Sequence, residues 1–145
     1  MMNYRKILIA VDLADPSDKL NKSIKDFAKG NEDVHICTVS MPLEVLYSFA
    51  PVGSYAVALG GLQEELTALS QKKLKALATE CGVKESNTHL LVGKAAMEIK
   101  HLAKEQGFDL IVVGTHSKSA IRAALGSTSN GVLHGAPCDV LALAV

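Results

Sequence analysis

A single doubly wound α/β domain, with a five-stranded parallel sheet in the order 3-2-1-4-5 and helices on both faces, is the fold the sequence predicts. Three observations lead there. Short runs of branched apolar residues recur along the 145 residues, as expected of strands buried on both faces. Amphipathic helical patterns separate them, and strict strand–helix alternation argues for one parallel sheet. The strands are spaced for right-handed crossovers, which leave few topologies.

The first strand is Ile7-Leu8-Ile9-Ala10-Val11, ended by Asp12. Asp15-Pro16 reads as an N-cap with proline in the first helical position, and Asp18 adds charge to the first turn. Leu20, Ile24, Phe27 and Ala28 recur on one helical face, and Gly30 is expected to end the helix as a left-handed cap. Residues 34–39 form the second strand. The stretch from Ser40 to Gly61, with Pro42, Pro51, Gly53 and Gly60-Gly61, has no clear period. Connections of that length are commonly lids, binding loops or irregular helices. A helix resumes near Leu62 with Leu62, Leu66, Leu69, Leu74 and Leu77 as its expected core stripe, and Gly82 closes it. Residues 88–92 are the third strand. A helix over 95–106 turns Ile99, Leu102 and Ala103 inward and ends at Gly107. Residues 109–114 are the fourth strand. The last helix starts near Gly126-Ser127, runs to His134 and closes at Gly135, with Pro137 blocking its continuation. Val140 to Val145 is the fifth strand.

The whole chain, 1–145, reads as one domain. A hydrophobic content of 48% excludes a disordered chain. Fifteen basic residues balance fifteen acidic ones, and no basic run exists, so the sequence predicts neither a nucleic-acid nor a membrane partner. Cys37, Cys81 and Cys138 are odd in number and far apart, which argues against zinc or a disulfide framework and for reduced thiols. The apolar run after Lys6 is short and stopped by Asp12, so no secretory signal is read, and a cytoplasmic location is expected.

In such a sheet, ligands bind beyond the carboxyl ends of the strands where the winding reverses. In the predicted order that point lies between the first and fourth strands, at Asp12 and Gly114. After the fourth strand comes Gly114-Thr115-His116-Ser117-Lys118-Ser119, and later Gly126-Ser127-Thr128-Ser129. A phosphate needs backbone N–H groups approachable without Cβ obstruction and a helix N-terminus aimed at it. Gly126 supplies the first, and Ser127, Thr128 and Ser129 add hydroxyls and free N–H groups. Lys118 offers a point charge and His116 a phosphate contact. Asp12 can accept from ribose hydroxyls or act through Mg²⁺; a plain helix-entry cap is the alternative, as an ordinary cap is for Gly126-Ser127. His35, His101 and His134 read as packing or surface residues. No metal-binding histidine spacing, Walker A pattern or Gly-x-Ser-x-Gly elbow is present, so no metal site and no catalytic residue is assigned.

The first strand with Asp12, the Asp109-Leu110-Ile111-Val112-Val113-Gly114 strand, the Gly126-Ser127 turn and the ending Ala136-Pro137-Cys138-Asp139-Val140-Leu141 together resemble the universal stress protein family, over essentially the whole chain. Nucleotide-binding members typically show Gly-x2-Gly-x9-Gly-Ser/Thr after the fourth strand. Here Ser117 stands at the second glycine, and the distance from Gly114 to Gly126 is one residue short. The retained Gly-Ser resembles the small nucleotide-binding bacterial branch. The resemblance implies ATP or AMP as ligand, with Mg²⁺ as a candidate companion. It places Ala10, Val11 and Asp12 near ribose and adenine, and the Val39 backbone at the adenine edge. Gly93 lies nearby; Gly114, Thr115 and His116 follow the ribose and phosphates; Gly126, Ser127, Thr128 and Ser129 hold the phosphates. It further implies a homodimer through Val140 to Val145. The function so implied is a dimeric adenine-nucleotide-binding stress-response sensor or regulator, with at most slow ATP hydrolysis because no general base is positioned. The alternative is a nucleotide-free dimeric interaction module, which Ser117 and the shortened loop favour.

Overall fold

A computed structural model of the chain describes residues 3–14, 17–30, 33–40, 55–115 and 127–144. Five strands, β1 (Ile7–Ala10), β2 (Val34–Ser40), β3 (Thr88–Val92), β4 (Leu110–Thr115) and β5 (Asp139–Ala144), pair in parallel in the order β3-β2-β1-β4-β5. Among the described residues, four helices surround the sheet: α1 (Asp18–Gly30), α2 (Tyr55–Cys81), α3 (Ala95–Gln106) and α4 (Ser127–Leu133).

The alternation of strand side chains explains why the apolar runs are continuous. Ile7, Ile9 and Val11 pack with Leu20 and Ile24 of α1 and Leu74 and Ala78 of α2. Leu8, Cys37, Ile111 and Val113 pack on the opposite face with Ile99, Leu102 and Ala103 of α3 and Val132 of α4. Both faces of the central strands are therefore dry. Burying one such side chain contributes about 1.5–3 kcal/mol.

Three local expectations are corrected. Helix α1 begins at Asp18, and its cap is Ser17, whose Oγ accepts from the Leu20 N–H at 3.2 Å. Asp15 and Pro16 lie outside the described residues. Gly30 is the last residue of α1 and has no positive φ, unlike Gly82, Gly107 and Gly135, so it does not form the left-handed cap.

The third correction concerns α2. It starts at Tyr55, well before Leu62; residues 41–54 lie outside the described residues. Leu62, Leu66 and Leu69 are 40%, 41% and 49% exposed, whereas Leu74 and Ala78 are buried at 1% and 0%. Length explains the split. A 27-residue helix extends about 40 Å at ~1.5 Å per residue. The seven residues of β2 cover about 23 Å. Only the carboxyl-terminal half of α2 lies against the sheet, and the leucine period continues past its edge.

This division predicts contrasting mutants. Leu74→Ala should lower unfolding free energy by about 2–5 kcal/mol. Leu66→Ser and Leu69→Ser should each change it by no more than about 0.5 kcal/mol. Urea denaturation of the three variants checks the contrast.

Candidate functional site

The sheet order places β1 beside β4, with Ile7, Leu8 and Ile9 opposite Leu110, Ile111 and Val112. From β1 the chain enters α1 on one face; α4, which follows β4, packs on the other. In sheets of this order, ligands bind where the two connections diverge.

On the β1 side, Val11 is buried and its N–H donates to the Cys37 carbonyl at 2.8 Å, extending the strand's pairing with β2. Ala10 is half-buried. Asp12 is exposed, and its Oδ1 accepts from the Ala14 N–H at 2.9 Å. That bond closes an Asx turn and engages one carboxylate oxygen. Asp12 thus shapes the turn leaving β1, while Ser17 caps the helix.

At the ends of β2 and β3, Val39 is half-buried opposite Leu91, and the Gly93 N–H donates to the Ser40 carbonyl at 3.0 Å. Gly93 has φ +145°, and a Cβ there would lie 2.8 Å from Glu98 Oε1 and 2.9 Å from Glu98 Cγ. Glycine is needed both for this backbone geometry and for the close approach of the first turn of α3.

On the β4 side, Gly114 and Thr115 are half-buried opposite Leu143 and Ala144. The Ser129 hydroxyl is buried and donates to the Gly114 carbonyl at 2.8 Å. This bond ties the first turn of α4 to the end of β4. Thr128, one residue earlier, is half-buried. Behind the tie, Val132 is fully buried, and a Cβ at Gly131 would lie 2.7 Å from the Ala96 Cβ. Gly131 therefore permits α4 to lie close against α3. Ser127 opens α4. His116, Ser117, Lys118 and Gly126 lie outside the described residues.

A groove of about 270 Å³ opens beside Asp12 and runs between α1 and α2. Val11, Leu20 and Leu77 supply apolar lining, and Asn21 and Lys73 join Asp12 among its polar residues. Lys73 and Asn21 carry no motif, and only the packing of α1 against α2 brings them to Asp12. All three cysteine thiols are raised above their ordinary value. Burial pushes Cys37 up to about 12. Burial and then Glu80 raise Cys81, against Lys25; burial and then Asp139 and Asp109 raise Cys138, against a backbone hydrogen bond from Ile111. All three are free cysteines.

The family model described as "Universal stress protein family" matches residues 3–144. The chain belongs to the universal stress protein family. It is 37% identical over 147 residues to universal stress protein A homolog 2 of Coxiella burnetii, covering 100% of this chain and 98% of that protein. It is 37% identical over 147 residues to a putative universal stress protein of Staphylococcus haemolyticus, covering 97% and 85%. Among solved structures, the universal stress protein UspA of Lactobacillus plantarum superposes with a TM-score of 0.74 at 23% identity over 99% of both chains. A universal stress protein solved in complex with cAMP superposes with a TM-score of 0.57 at 22% identity, covering 97% of this chain and 96% of that one. The parallel sheet in the order 3-2-1-4-5 is the fold of these family structures.

The Ser129 tie makes a direct prediction. Ser129→Ala leaves the Gly114 carbonyl without this partner and should cost about 1–3 kcal/mol of stability. Hydrogen exchange should then speed up in α4 and at the end of β4 while β2 and β3 stay protected, as measured by peptide-resolved mass spectrometry.

Proposed function

We propose that this protein binds an adenine nucleotide in the crevice beyond β1 and β4 and acts as a dimeric sensor or regulator in the stress response. The observation that carries this reading is the 2.8 Å bond from Ser129 Oγ to the Gly114 carbonyl. It holds the start of α4 at the end of β4, at the point where the winding of the sheet reverses. The exposed Asp12 carboxylate stands at the end of the neighbouring strand. Membership of a family in which one protein has been solved with cAMP supports an adenine ligand.

In this reading Asp12 accepts from the ribose hydroxyls, with Ala10 and Val11 beside the sugar and base. The Val39 backbone meets the adenine edge, and Gly93 keeps the neighbouring turn close. Gly114, Thr115 and His116 follow the ribose and phosphates. Gly126, Ser127 and Thr128 receive the phosphates through backbone N–H groups and hydroxyls. Ser129 contributes its backbone, since its hydroxyl serves Gly114. Bound nucleotide would contact the connection from β4 to α4, and that contact would be the signal passed to a partner.

The dimer contact in this reading is β5, which is at the sheet edge and pairs with β4. Leu141 on it is 38% exposed. An apolar edge strand invites pairing with a second chain. The second reading, a dimeric interaction module without nucleotide, draws on Ser117 at the second glycine position and on the spacing one residue short between Gly114 and Gly126.

Native mass spectrometry of the purified protein, titrated with ATP, AMP and cAMP with and without Mg²⁺, tests both parts. The expected result is a dimer that carries adenine nucleotide, with Gly126→Leu dimeric but binding at least about tenfold more weakly, a loss of ~1.4 kcal/mol. A dimer that takes up none of the three ligands would overturn nucleotide binding and favour the second reading. A monomer would overturn the β5 contact.

A further inference from the structure

At the amino-terminal edge of the sheet, opposite the crevice, two histidines meet. His35, second residue of β2, is 7% exposed, and His89, second residue of β3, is half-buried. His35 Nδ1 lies 2.9 Å from His89 Nε2, and His35 Nε2 lies 2.7 Å from Asp33 Oδ1. The ring planes are within 14° of parallel with centroids 5.1 Å apart. Phe108 packs edge-on against His35 at 4.9 Å, and Lys6 Nζ sits 4.8 Å from the Phe108 centroid.

The hydrogen-bond inventory limits how many protons this chain can hold. An ionised carboxylate only accepts, so His35 Nε2 carries a hydrogen. Two arrangements remain. Neutral His35 accepts at Nδ1 from His89 Nε2–H, or cationic His35 donates from Nδ1 to the lone pair of His89 Nε2. Each puts one hydrogen between the rings. If both imidazoles were cationic, two N–H groups would face each other across 2.9 Å, and the contact would have to open.

We propose that Asp33, His35 and His89 form an acid-operated latch that fastens the edge strand β3 to β2, closed while the two rings share at most one extra proton and released when both are charged. β3 is the strand on which such a release would act, because it sits at the sheet edge and pairs with β2. Across the start of the pair, Asn87 Nδ2 donates to the Val34 carbonyl at 3.1 Å, a bond without a titrating group.

The charged surroundings agree. Asp33 lies against His35 on the side away from His89. Lys6, at the start of β1, faces the pair from the Phe108 side and adds positive charge. Helix α3 packs on this face with Ile99, Leu102 and Ala103 buried, while its His101 pairs with Glu105 on the exposed side at 2.9 Å. Burial first, then His35 and Lys6, lower the pKa of His89 below its ordinary value. A histidine lowered in the folded state is more readily protonated in the unfolded one. Its contribution to stability is therefore fully present above about pH 6.5, the unfolded value, and is lost as pH falls from there through the lower folded value.

Hydrogen exchange read as protection factors, which removes the intrinsic pH dependence, tests the latch. Between about pH 7.5 and pH 5, β3 amides of the wild-type protein should lose at least about tenfold protection, the equivalent of one pKa unit, while β1 and β4 change less. In His89→Gln, whose amide can donate to His35 Nδ1 without titrating, the β3 loss should fall below about twofold on the same scale. Equal β3 losses in both proteins, or none in the wild type, would overturn the proposal. ¹⁵N imidazole spectra of the wild-type protein supply a reading that needs no variant. The latch requires the His89 ring to titrate below the ordinary histidine value of about 6.5, and titration of His89 at or above that value would overturn it.

Discussion

Asp109 closes the amino end of the β1–β4 pair: its carboxylate accepts from the Arg5 N–H at 2.8 Å and the Lys6 N–H at 3.0 Å, and its own N–H donates to the Lys6 carbonyl at 3.0 Å. Those bonds set the register in which Ile7 lies opposite Leu110. Because successive side chains alternate faces, a slip of one residue would exchange the two buried sets. Leu8 would leave its cluster with Ile99 and Val132, and Ile7 and Ile9 theirs with Ile24 and Leu74. The same register decides where the strands stop. It brings the turn at Asp12 and the Gly114 carbonyl to one edge, where Ser129 then anchors α4.

The two ends of the sheet are built from different materials. The carboxyl edge gathers glycines, hydroxyls and a single exposed carboxylate, groups that meet an anionic or ribose-bearing ligand without strong charge of their own. The amino edge holds a hydrogen-bonded chain of Asp33, His35 and His89, with Lys6 over Phe108. The shared β2 strand carries both, His35 near its start and Val39 near its end. The proposed nucleotide site and the proposed acid latch thus lie at opposite ends of the same strand.

Much of this was legible in the sequence because burial on both faces leaves a local trace. The runs around Ile7, Val34 and Leu110 are continuous and apolar, and Gly82, Gly107 and Gly135 mark real left-handed turns. Sheet order made Asp12 and Gly114 candidates before any motif did. What escaped depends on distance. The period of Leu62, Leu66 and Leu69 is correct for a helix, but period carries no information on where the sheet ends. Asp15-Pro16 is a strong start signal on paper, yet Ser17 caps α1. The Ser129–Gly114 tie joins residues 15 positions apart, Gly131 meets Ala96 on another helix, and His35 meets His89 54 positions away. A histidine on a strand reads as packing until its partner strand is known.

The central claim is that the carboxyl edge between β1 and β4 seats an adenine nucleotide. Backbone amide spectra of ¹⁵N-labelled protein titrated with AMP test it most directly. The account predicts shifts concentrated at Val11, Asp12, Gly114, Thr115 and Ser127 to Ser129, with Asp33, His35 and His89 at the far edge unmoved. Shifts centred at the far edge, or no shifts at saturating AMP and ATP, would contradict it.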